Sequence, residues 1–279
     1  MILSGAGILL LTGLLVFSRT GPQKKPTAPE SVTDQVAEFN IKQYIAEQKQ
    51  KLLPLQLNYV TALENSINRG DVANQQIKVD TVLAMFWKDS AKQFEPYIYY
   101  LSEASKLENS EKTLTFAARN LEEYLRSEQD PAKRTWMADE AIVLFEKAIA
   151  LNPSDKTLPV EMGACYVYGY AQAGRADKAM KGILALKDIA DKDSSNARAN
   201  MLVGIGGVIS GQYDKAIIRL TRVAKSEPDN VEAISYLADA YAGKGDKASA
   251  VQWLEKSKTV LKDPAFIKAV NQRISEINK

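Results

Sequence analysis

Few residues in this chain of 279 are equipped for chemistry, and they are poorly grouped. There is no histidine, which removes the commonest general base, the Ser-His and Cys-His nucleophile pairs, and the usual nitrogen ligand of zinc. Cys165 is the sole cysteine, so no intrachain disulfide forms and the redox compartment stays open. It lies mid-helix between Ala164 and Tyr166, with no imidazole to activate it, and reads as a buried structural thiol. Glu122-Glu123 and Asp139-Glu140 are adjacent carboxylates, but neighbours on a helix point about 100° apart and do not converge. Gly204-Ile205-Gly206-Gly207 has the composition of a phosphate loop. Such a loop follows a strand and opens a helix, whereas this run falls inside a helix, where small residues allow close packing. Tyr97, Tyr99 and Tyr100, after Pro96, read as filling between helices rather than a ligand cage. The expectation is a protein without catalytic, cofactor-binding or metal-ligating residues, not an enzyme.

Charge points the same way. The formal excess of +2 resides in Arg19, Lys24 and Lys25 against Glu30, and the remainder is balanced. A neutral body offers no field for nucleic acid, and neither nucleic acid nor a small-molecule substrate is expected as a partner. Hydrophobic residues at 46% and charged residues at 25% are those of a folded chain.

Ile2–Phe17 is an uncharged run of 16 residues, close to the roughly 17 that a short membrane-spanning helix needs. A tether at 19–33 follows, carrying Pro22, Pro26 and Pro29. The first reading for 1–18 is a single-pass anchor in a bacterial inner membrane. The alternative is a signal peptide cleaved near Ser18, which would give a secreted soluble protein, although no basic residue precedes the run. Orientation stays open. The basic residues after the run hold the body in the cytoplasm, whereas a start assigned too late would send it to the periplasm, the side preferred here.

Beyond position 33 apolar residues recur at three and four spacings, as in Val36, Phe39, Ile41 and Tyr44, and about thirteen helices are expected. No sustained alternation suggests a sheet. Asp130-Pro131 and Asp263-Pro264 pair an N-cap with a first-turn proline, while Gly70-Asp71 and Gly245-Asp246 set a terminator against a cap. The helices repeat. Lys181–Ser194 aligns with Lys215–Pro228 at an offset of 34 residues, and Ala216, Leu220 and Val223 recur as Ala250, Leu254 and Ser257.

A helix–turn–helix unit of that period resembles the tetratricopeptide repeat, or TPR. Leu237-Ala238, Tyr241, Ala250 and Leu254 carry the resemblance in one unit, and Gly204, Gly207, Ala216, Leu220 and Pro228 in another. Weaker units precede them. The expected fold is all-α: a TPR-type α-α superhelix preceded by a transmembrane helix. Leading helices occupy 34–76, repeats 77–109, 111–153, 156–194, 197–228 and 231–262, and a capping helix 263–279. Small residues (Gly204, Ala216, Ala238, Ala250) let helix axes approach, and large ones (Leu220, Tyr241, Leu254) fill between pairs.

The resemblance implies a concave groove along the first helices of the repeats, lined by Val160, Ala164, Val167, Met201, Ile205, Val208, Ser235 and Asp239. Some TPR proteins clamp a terminal carboxylate with Lys, Arg and Asn there; those residue types are missing. The expectation is a largely apolar groove, either accepting a helix or extended apolar segment of a protein or peptide partner or filled by the chain's own inserted loop. Substitution at Met201 and Ile205 is then expected to abolish partner capture while leaving the array folded. The whole resembles envelope TPR scaffolds with one N-terminal span that assist assembly or chaperoning.

Overall fold

The computed structural model describes residues 38–67 and 71–279. Those residues form thirteen α-helices and two π-helical segments, with no strand among them. The anchor expected at 1–18, the tether at 19–33 and the terminator Gly70 lie outside the described residues. Among the described residues no helix is long and apolar enough to cross a membrane. Close packing divides the chain into two units, one reaching to Leu125 and including Ala132–Cys165, the other made of Arg126–Pro131 and Tyr166–Lys279.

In the first unit, local signals set each helix. Asn40 starts α1 (Ile41–Lys49) by accepting the Gln43 amide at 3.1 Å. Pro54 opens α2 (Pro54–Glu64), and the Gln56 side chain accepts the Leu53 amide at 3.0 Å. Asp71 caps α3 (Val72–Met85), so this helix begins inside the stretch expected to hold only leading helices. It runs into a π-helical segment, Phe86–Ser90, that buries Phe86 and Trp87. Then come α4 (Phe94–Glu108), which ends at Asn109 in a left-handed conformation, α5 (Glu111–Leu125), α6 (Pro131–Leu151) and α7 (Leu158–Ala164). Helix α4 packs on α1, α3 and α5. Trp87, Ile98, Leu114, Leu121 and Phe145 are fully buried, each contributing roughly 1.5–3 kcal/mol.

In the second unit the period of 34 is visible in the backbone. A π-helical segment, Cys165–Ala171, leads to α8 (Ala176–Lys192), followed by α9 (Ala197–Ile209), α10 (Tyr213–Ser226), α11 (Val231–Lys244), α12 (Lys247–Val260) and α13 (Pro264–Ile277). Asn196 and Asn230, 34 positions apart, accept the amides of Ala199 and Ala233, each at 2.9 Å. Gly211 and Gly245, again 34 apart, close the first helices at φ +74° and +91°, where a side chain would be strained. Helix α9 packs on α10 and α11 on α12, and the two first helices α9 and α11 also meet.

The small-to-large contacts are direct. A Cβ on Gly204 would stand 2.6 Å from Leu220 Cγ, and one on Gly207 3.1 Å from the Ala216 Cβ. Ala216, Leu220, Ala238, Ala250 and Leu254 are buried, while Tyr241 is half-buried. Ala238 and Leu254 form one cluster with Phe266 and Val270 of α13, against which Ile274 and Ile277 pack. Lys268, Gln272 and Glu276 of that helix are exposed. It therefore closes the array with an apolar inner stripe and a solvated back.

Candidate functional site

The first helices of the second unit bring together four polar and aromatic side chains. Arg198 lies in the first turn of α9 and Glu232 in the first turn of α11, placed there by the Asn196 and Asn230 caps. Tyr168 comes from the π-helical segment. Tyr166 and Tyr170, four residues apart, meet edge to face with centroids at 5.5 Å, so Tyr168 between them turns to another side. Its hydroxyl donates to Glu232 Oε1 at 2.5 Å, and Arg198 Nη1 donates to that hydroxyl at 3.4 Å. The fourth member is Arg126, from the non-helical stretch that connects α5 to α6. Its Nη1 reaches Glu232 Oε2 at 3.4 Å, and its guanidinium carbon sits 5.1 Å from the Tyr168 ring centroid. Arg198 lies over the same ring at 5.7 Å.

Both guanidiniums therefore share one tyrosine ring and one carboxylate, an arrangement in which cation–π attraction and charge-assisted hydrogen bonding add. Burial pushes the Tyr168 phenol up, the negative Glu232 adds to this, and the two arginines partly offset it. Tyr168 stays protonated and acts as a donor. Nearby, Gln172 Nε2 donates to Tyr236 Oη at 3.1 Å.

The residues expected to line the groove have a different place. Val160 and Ala164, on α7 of the first unit, are buried. In the second unit Val167 is buried, Met201 is 3% exposed, Ile205 is 0% exposed and Ser235 is buried. Val208 and Asp239 are half-buried. The described residues thus do not form an open apolar wall from these side chains. Side-by-side packing of α9 and α11 uses them as the layer between neighbouring first helices. Met201 Sδ lies 3.6 Å from Asn230 Nδ2, and Asp239 is paired with Arg273 of α13. Burial raises the Asp239 carboxyl, and Arg273 pulls it back. Met201 and Ile205 are thus core positions, where truncation to alanine leaves a cavity costing about 2–5 kcal/mol. Arg198 and Glu232 were not among the expected wall residues, although the signal was in the sequence: opposite charges 34 positions apart at the same place in successive units.

The other candidates fall as packing dictates. Gly204-Ile205-Gly206-Gly207 is inside α9. Cys165 is fully buried, its sulfur 3.6 Å from the Glu161 carbonyl oxygen. Tyr97 and Tyr100 are buried, and the Tyr100 hydroxyl donates to Glu64 at 3.0 Å. Of the paired acids, Glu140 accepts from Lys106 at 2.6 Å. Among the described residues no three cysteine, aspartate or glutamate side chains are grouped to hold a metal.

Paired helices repeating at one period, zipped through glycine and leucine, define a helical-repeat protein. Residues 208–267 match the family model of the tetratricopeptide repeat, so this stretch of the chain carries that repeat. Over 71 residues it is 41% identical to cellulose synthase operon protein C of Escherichia coli strain K12, a match covering 25% of this chain and 6% of that protein. Among solved structures it is similar to PilW, a type IV pilus biogenesis factor, at 19% identity and a TM-score of 0.47, covering 75% of this chain and 91% of that one. The MamA protein of Desulfovibrio magneticus RS-1 gives 17% identity and a TM-score of 0.45, covering 69% and 97%. YrrB, a TPR protein with an unusual peptide-binding site, gives 18% and 0.43, covering 76% and 95%.

Proposed function

We propose that this chain is a non-catalytic TPR scaffold that holds a protein partner through the first-helix face of its second unit, tethered to a bacterial envelope membrane by residues 1–18. One observation carries the reading. Tyr168, Arg198 and Glu232 already hold an arginine, Arg126, delivered by a non-helical stretch of the chain itself. A wall that stacks a guanidinium on a ring and pairs it with a carboxylate suits an extended segment with a basic side chain, and helical repeats present extended surfaces on which such a segment lies. This replaces the apolar groove expected from the sequence. Support for the tether is the uncharged run Ile2–Phe17, and the preferred location of the repeats is the periplasm.

The test is photo-crosslinking in intact cells from a full-length chain carrying Tyr236→benzoylphenylalanine, with and without Glu232→Gln. A protein adduct weakened by Glu232→Gln supports the reading; adducts indifferent to Glu232, or none, refute it. N-terminal sequencing of the mature chain and protease access in spheroplasts test the tether and its orientation. Cleavage near Ser18 would overturn the anchor.

A further inference from the structure

In the first unit a cavity of about 590 Å³ opens between α1, α2, α3 and α4. That is within the range of small-ligand pockets. Asp80 of α3 lines it and is 3% exposed. Its Oδ1 accepts from Gln76 Nε2 at 2.8 Å, and its Oδ2 accepts no hydrogen bond from the described residues. The lysines along the wall are already committed: Lys49 pairs with Glu64 at 2.5 Å, and Lys106 with Glu103 at 2.9 Å and Glu140 at 2.6 Å. Lys42 is exposed at the surface, where salt screens it over about 8–10 Å.

The remaining wall is suited to an alkyl chain. Ile45, Ala46 and Leu107 supply aliphatic surface, and Tyr99 and Tyr100 supply two rings set edge to face at 5.2 Å. We propose that this cavity binds an alkylammonium group, whose charged end meets the Asp80 carboxylate and whose stem lies against the tyrosines and aliphatic residues. The observations favour an organic ammonium over a metal ion, because the acids among the described residues here do not come together as a three-ligand set, while Ile45, Ala46, Leu107 and the two tyrosines offer surface for an alkyl stem.

Electrostatics agree with the geometry. Burial drives Asp80 up to about 6, the Gln76 hydrogen bond pulls it back in part, and Glu103 pushes it further. The charge acting on Asp80 is thus another carboxylate rather than a cation. At neutral pH Asp80 is an ionised group lacking its counter-ion.

The source of the ammonium is either a free amine or a lysine side chain of a protein, and one titration series separates them. Full-length protein at pH 7.5 is titrated calorimetrically with n-pentylamine, Nα-acetyl-lysine amide, and Nα-acetyl-norleucine amide, which lacks the ammonium. Either monoammonium probe is expected to bind, the norleucine derivative not, and Asp80→Asn is expected to weaken binding about tenfold to a hundredfold. Preference for pentylamine assigns a free amine; preference for the lysine derivative assigns a side chain. Absence of binding by both monoammonium probes, or affinity equal for the norleucine probe or for a folded Asp80→Asn protein, would overturn the proposal. The probe comparison needs no variant, and nothing in it depends on the partner-holding face of the second unit.

Discussion

The contact between Gly204 and Leu220 can be tested by a double-mutant cycle. Gly204→Ala places a methyl group 2.6 Å from Leu220 Cγ and 2.9 Å from Cδ2. Overpacking of this kind costs about 1–3 kcal/mol, while replacing a helical glycine returns up to about 1 kcal/mol. The net loss is therefore on the order of 0–2 kcal/mol. Leu220→Ala empties a fully buried position and costs about 2–5 kcal/mol. In the double variant the added methyl points into the vacated space, so the clash term disappears. The combined loss should fall short of the sum of the single losses by on the order of 1–2 kcal/mol, within the range measured for touching residues. Urea unfolding of the full-length chain, followed by far-UV circular dichroism, gives the four free energies. Additivity within about 0.3–0.5 kcal/mol would mean the two residues do not interlock, and the small-to-large account of repeat packing would fail.

Four further outcomes follow from the same packing and electrostatics. Gly182→Ala meets Tyr166 at Cβ and Cγ, 2.3 and 2.2 Å away, where the side chain is rooted and unable to swing; its urea midpoint should drop the most of any glycine variant. Gly243→Ala meets the outer ring atoms of the half-buried Tyr213, which can rotate away, so that midpoint should hold or rise by up to about 1 kcal/mol in stability. Asp80 is raised in the folded state from 3.8 to about 6, so the native protein holds its proton more tightly than the unfolded chain, and this group's contribution falls as pH rises from about 4 to 6 and stays low above. Asp80→Asn should thus be more stable than wild type at pH 7.5 by about 1–3 kcal/mol and lose that advantage near pH 4; an Asn variant less stable at both pH values would contradict the unpaired carboxylate. Arg273→Met strands Asp239 without its partner on α13 and should cost about 3–5 kcal/mol, measured by the same urea titration, with Asp239→Leu in the same chain restoring much of it.

How far the sequence could be read depended on which physical constraint was local. Caps and terminators act within a few residues, so Asp246, Asp263 and Gly245 are where spacing placed them, with Asp246 accepting the Ser249 amide at 3.0 Å and Asp263 the Phe266 amide at 2.8 Å. Packing of a pair is nearly as local: Gly204 and Leu220 belong to consecutive helices, and the 34-residue repeat of Ala216 as Ala250 exposes their role. The two π-helical segments were not legible. An extra residue in a turn leaves hydrophobic spacing almost unchanged, and only the aromatic density of Phe86-Trp87 and of Tyr166, Tyr168 and Tyr170 marks them.

The surroundings of the first helices demanded a non-local fact. Whether a first-helix residue faces outward or a neighbouring helix depends on how closely α9 and α11 approach, and the small side chains bring them near enough to bury Met201, Ile205 and Ser235. The polar side chains lie instead in the first turns, where Arg198 and Glu232 of neighbouring pairs meet around Tyr168. Asp80 gives the converse case. The buried residues of α3 are Val79, Asp80, Leu83 and Ala84, an apolar stripe at helical spacing with one acid inside it. An acid at such a position carries a desolvation cost that an apolar residue would not. Asp239 is matched by Arg273, whereas Asp80 is where a ligand's charge would complete the pair, and the gain in stability expected for Asp80→Asn at neutral pH measures what the cavity gives up to keep it.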